Sequence, residues 1–129
     1  VLAPPWNRIA PEVVALLPSL GFRGLSTYQP RTKAEPAPGL MQVNTHADII
    51  DWRERRFIGD DIATGAVLRH LIDRRLGRVD PGEPTGVLTH HLVHDAPAWR
   101  FIERLLTFTC AHPAIRWLTP AQAFGLKPA

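Results

Sequence analysis

Apolar residues recur along this chain in short blocks whose spacing changes from one block to the next. Residues 1 to 3 read as the end of a strand stopped by Pro4-Pro5, because proline has no N–H to give to a ladder. Pro11 suits the first turn of a helix, and Val13, Leu16, Leu17 and Leu20 follow at helical spacing up to Gly21, a natural C-cap. Pro18 falls inside that pattern and shortens it. Residues 22 to 26 predict a short strand, 30 to 39 a proline-marked loop, and 40 to 43 a second strand leading into Asn44-Thr45-His46-Ala47. The clearest helix spans 60 to 76, with Ala63, Val67, Leu68, Leu71, Ile72 and Leu76 on one face and Arg69 paired with Asp73 on the other. Gly77 ends it. Residues 86 to 92 predict a strand carrying His90 and His91, and Asp95 caps a helix whose Trp99, Ile102, Leu106 and Cys110 share a face. A last strand over 115 to 118 and a helical turn over 120 to 124 complete the pattern.

Short strands alternating with helices predict an α/β fold with a largely parallel sheet, in which function gathers at the C-terminal ends of the strands. With 129 residues the chain holds one core, and residues 1–129 are read as part of a single domain. It opens at Val1 as if a strand were entered halfway, which suggests a fragment. Thirteen prolines, against a usual frequency of about 5%, mean many loops. A net charge of +3 with scattered basic residues gives no nucleic-acid footprint, and the excess of arginine over lysine fits a bacterial chain from a GC-rich genome of open localisation. Cys110, the single cysteine, excludes an internal disulfide and reads as a small buried hydrophobe. No apolar run reaches the ~20 residues of a membrane span.

Three short blocks carry candidate chemistry: Ala3-Pro4-Pro5-Trp6, Asp48-Ile-Ile-Asp51-Trp52 and Leu88-Thr89-His90. Each falls where a predicted strand runs out into a loop, so all three can open on one face. In letters and order they resemble the last three of five sequence blocks of the polysaccharide deacetylases, the NodB-like carbohydrate esterases. That resemblance implies a partial (β/α) barrel, about the second half of the deacetylase domain, with the missing N-terminal half as its partner. It implies a metal-dependent hydrolase that removes acetyl groups from a carbohydrate. The divalent metal, zinc by preference, would be held by residues upstream of Val1, and none is expected in this chain.

The resemblance further assigns roles. His90 becomes the general acid, since an imidazole titrates near neutrality and can give a proton to the leaving group. Asp51 orients His90 and favours its charged form, and Trp52 walls the acetyl pocket beside Leu88. Asp48 is read as structural. The opening block departs from the family pattern Arg-x-Pro-Tyr: Ala3 stands where the arginine belongs, and Trp6 where the tyrosine belongs. Trp6 keeps a backbone N–H and an aromatic wall for the acetylated carbohydrate, and Arg8 reads equally as a substitute cation for the carboxylate that the family arginine steadies or as half of a surface ion pair. His90, His91 and His94, with His46, invite a metal reading, but strand alternation turns His90 and His91 to opposite faces. Two alternatives stand beside the deacetylase: an inactive barrel relative that binds a glycan or serves as a scaffold, and an unrelated α/β interaction domain.

Overall fold

A computed structural model describes residues 1–126. After a 3-10 turn at Pro5–Asn7, four α-helices and six short strands follow in the order α1 (Pro11–Leu16), β1 (Gly24–Leu25), β2 (Met41–Gln42), β3 (Ala47–Asp48), β4 (Ile50–Asp51), β5 (Arg56–Phe57), α2 (Asp60–Arg75), β6 (Val87–Leu88), α3 (Ala96–Ala111) and α4 (Pro120–Ala123). Parallel pairing runs through most of them. Leu2 pairs with Leu25, β1 with β2, Tyr28 with Thr45, and β3 with β6. The segment around Leu2, the β1 segment, the run from β2 to β3, and β6 therefore lie side by side in chain order. β4 and β5 form an antiparallel hairpin, Ile50 opposite Phe57. Among the described residues no sheet closes into a barrel.

Two apolar clusters flank this arrangement. Leu17, Leu25, Ala37 and Leu40 form one, with Leu2, Ile9, Val14 and Phe22 packed on it; Ile49, Ile50, Ala63 and Phe101 form the other, with Phe57, Val87, Ile102 and Leu105. Gly86 lets the β6 segment come close to the run before β3, because a Cβ there would stand 2.8 Å from the Asn44 carbonyl oxygen.

Several expectations change. The first helix stops at Leu16, ahead of Pro18, and residues 17 to 20 finish it as turns before Gly21. The strand expected over 86 to 92 ends at Leu88, because the Val93 N–H closes a turn on the His90 carbonyl at 2.8 Å. No strand forms over 115 to 118. α2 has the expected length, yet it buries Ala63 and His70 while Leu68, Leu71, Ile72 and Leu76 stay exposed. Asp73 pairs with Arg78 at 3.2 Å rather than with Arg69. α3 turns a stripe of Ala98, Phe101, Ile102 and Leu105 inward, so Trp99, Leu106 and Cys110 lie exposed. Cys110 is therefore no core residue.

Candidate functional site

The register of β3 against β6 places Asp48 opposite Leu88. His90, two residues beyond Leu88, then bends back to Asp48, and its Nε2 lies 3.3 Å from Asp48 Oδ1. The same carboxylate accepts the Ile50 N–H at 3.0 Å and, through Oδ2, the Trp52 indole N–H at 2.9 Å. The Trp52 ring meets the His90 ring edge-on, with centroids 4.6 Å apart. A carboxylate, an imidazole and an indole thus form one group, partly open to solvent: 22% of the His90 side chain and 48% of Trp52 are exposed. Because Nε2 of His90 faces Asp48, Nδ1 is the nitrogen left for a ligand. Such a group can hold a proton on the imidazole, steady the charged ring and offer an aromatic wall.

The sequence reading placed Asp51 beside His90, and the structure places Asp48 there. Asp51 instead accepts the backbone N–H groups of Arg53 and Glu54 at 2.9 and 3.3 Å, which shapes the β4–β5 turn. Period-two alternation explains the difference: Asp48 and Asp51, an odd number of residues apart, point to opposite faces, and the tight turn after Asp51 takes its carboxylate for local backbone bonds. Trp52 lies against Asp48, and Leu88 stands opposite it across the strand pair. Trp6 and Arg8 are exposed at the end of the first segment, around a shallow hollow of about 350 Å³, and make no bond to the Asp48 group. Trp6 and Asn7 both adopt left-handed backbone angles, φ 56° and 53°. His91 is exposed. His94 turns its Nε2 to the His90 N–H at 3.0 Å.

A second polar group lies buried between the β3 run, α2 and the loop at Glu83. Glu83 is fully buried. Its carboxylate accepts the Arg31 N–H at 2.9 Å and the Asn44 N–H at 2.8 Å, and His46 Nε2 stands 3.3 Å away. Burial pushes the Glu83 carboxyl up, but the hydrogen bonds from His46, Arg31 and Asn44 outweigh it and hold it below the ordinary glutamate value. His70 stacks face to face on His46, centroids 3.4 Å apart and planes 16° apart. No periodic signal pointed to Glu83, which reads in sequence as one acid inside a Pro-Gly turn.

His46, His70 and Glu83 bring ligand atoms within 4.8 Å of one another, a donor set that suits zinc. Nε2 of His46 and of His70 is buried without a hydrogen-bond partner, but the two rings stack, and one would have to turn before both could hold one ion. Parallel rings would leave a shared metal half the stacking distance out of each ring plane, away from both in-plane lone pairs. His46 Nδ1 also accepts the Gly86 N–H at 3.0 Å, so the neutral ring carries its proton on Nε2, toward Glu83. The group works as a buried hydrogen-bonded clamp.

His70 makes that clamp sensitive to acid. Burial, and then the His46 charge beside it, lower its pKa from 6.5 to about 4; Arg74 acts in the same direction, Glu83 and Asp73 against. The unfolded imidazole therefore takes up a proton that folded His70 refuses. Stability is complete above pH 6.5 and falls as the pH drops toward 4, by up to ~1.4 kcal/mol per unit. Thermal melts across pH 7 to 4 should show this decline, and His70→Leu should flatten it; an unchanged slope would show that His70 is not the sensor. The contribution of Glu83 is lost separately, below its unfolded value of 4.5.

Comparison with family models, with curated proteins and with solved structures finds no match. No helix among the described residues is long and apolar enough to cross a membrane.

Proposed function

We propose that this chain belongs to a metal-dependent hydrolase that removes acetyl groups from a carbohydrate, as a partial barrel of the polysaccharide deacetylase type. One observation carries the reading: two of the three blocks that resemble that family meet at the ends of neighbouring parallel strands, where Asp48, Trp52 and His90 join in one group. The chain-order pairing of four parallel segments supports it as well. His90 gives a proton from Nδ1 to the leaving amine or alkoxide, and Asp48 stabilises the charged ring on the opposite nitrogen. Trp52 holds the His90 ring edge-on. The resemblance implies a divalent metal that would activate the attacking water, and none of the steps given to these residues runs through it.

A glycan-binding role without turnover is favoured by a specific observation, Ala3 at the place of the family arginine. Incubating the protein that carries this chain with acetylated oligosaccharides, with zinc supplied and then chelated, separates the two. Release of acetate that stops on chelation supports the hydrolase. Binding without release supports the second reading, and neither result removes both.

Trp6 gives a further test. An exposed tryptophan in a left-handed conformation costs on the order of 1 kcal/mol, strain kept where a site uses it. Trp6→Gly should therefore raise the melting midpoint slightly while weakening oligosaccharide binding. Equal affinity in the variant would exclude Trp6 from the site.

A further inference from the structure

The five residues from His90 to His94 form a closed turn whose two ends are tied by different atoms. The Val93 N–H donates to the His90 carbonyl at 2.8 Å, and the His90 N–H donates to Nε2 of His94 at 3.0 Å. The second bond is unusual, because a side chain takes the place of the carbonyl that a strand neighbour would offer. The His94 ring is itself held. It stands edge-on to Trp99 in the first turn of α3, with centroids 4.7 Å apart, and its Nδ1 is buried without a partner. The next residue, Asp95, is anchored twice: Oδ1 accepts the Ala98 N–H at 2.9 Å and Oδ2 the Phe57 N–H at 3.1 Å. A rigid path thus runs from α3 and the β4–β5 hairpin through His94 to the backbone of His90.

We propose that His94 is a positioning residue, whose unprotonated Nε2 fixes the backbone of His90 so that the His90 imidazole meets Asp48 and Trp52. The accepting role requires a neutral ring. Burial, then the charges of His90 and His91, hold the His94 pKa below the usual histidine value, with Asp95 acting against them. The catalytic part of this assignment rests on the proposed hydrolase, whereas the structural part does not.

Magnetic resonance of the histidines in the intact protein tests it. His94→Phe keeps a ring against Trp99 but removes the acceptor, so the His90 ring signals should shift and broaden and the His90–Trp52 contact should weaken. His94→Gln places an oxygen near the position of Nε2 and should restore both. In turnover assays the Phe variant should lose roughly 10- to 100-fold in kcat with little change in KM, the scale of a misplaced catalytic group, and the Gln variant should recover most of it. In the unaltered protein the His90 amide signal should follow the titration of the His94 ring, because protonating Nε2 removes the acceptor. His90 signals untouched in the Phe variant, or a His90 amide that ignores the His94 titration, would overturn the proposal. If the protein releases no acetate at all, the hydrolase reading fails, and the two magnetic-resonance measurements still decide the role of His94.

Discussion

Replacing Glu83 with alanine should destabilise the protein by about 3–5 kcal/mol, a large part of the 5–15 kcal/mol typical of a small domain. The loss has two sources. The buried N–H groups of Arg31 and Asn44 lose their acceptor, each at a cost of about 1–3 kcal/mol, and His46 keeps a buried polar edge with no partner. Glu83→Gln should cost less, because one oxygen remains, but its amide N–H₂ then faces a donor. Urea unfolding of the two variants measures the difference. A loss below 1 kcal/mol for the alanine variant would mean that the loop repacks and the clamp contributes little.

Asp48→Asn should lower turnover on acetylated oligosaccharides by roughly 10²- to 10⁴-fold, close to the effect of His90→Ala, because the proposed general acid loses the carboxylate that holds its ring in place. Asp51→Asn should change turnover by less than about threefold; its carboxylate serves the Arg53 and Glu54 backbone, and the amide oxygen can do the same. His91→Ala should also leave turnover nearly intact, since that ring lies exposed. The comparison is decisive in ranking. Should Asp51→Asn prove the more damaging of the two aspartate variants, the Asp48–His90 pair would not be the acid of the reaction.

Much of the local structure can be read from the residues themselves. α2 and α3 start and stop where Gly77 and the Asp95 cap indicate, and Pro18 does shorten the first helix. These are short-range effects, set by a cap, a missing N–H or a left-handed residue. The faces of the helices are harder to read, because each carries more apolar residues than the core needs. On α3 the stripe through Phe101 competes with the stripe through Trp99, and only packing on Phe57 and Ile49 selects between them. On α2 a polar residue, His70, is buried in preference to four leucine or isoleucine side chains, since His46 and Thr85 offer it contacts that periodicity cannot show.

The candidate site shows the same division. Trp52, Leu88 and His90 stand in two of the three short blocks, yet which aspartate faces the imidazole depends on strand parity and on a turn four residues long. Glu83 lay outside any pattern, because its partners Arg31, Asn44 and His46 come from distant parts of the chain.

The double anchoring of Asp95 couples two elements that are remote in sequence. One carboxylate caps α3 and also terminates the hairpin ladder at Phe57, and the backbone N–H groups of Ala98 and Phe57 hold its pKa below the ordinary aspartate value. Fraying of the helix start therefore releases the hairpin edge, and melting of the hairpin uncaps the helix. Hydrogen exchange should then show the helix start, the hairpin edge and the turn that carries His90 opening together, as one unit of local unfolding.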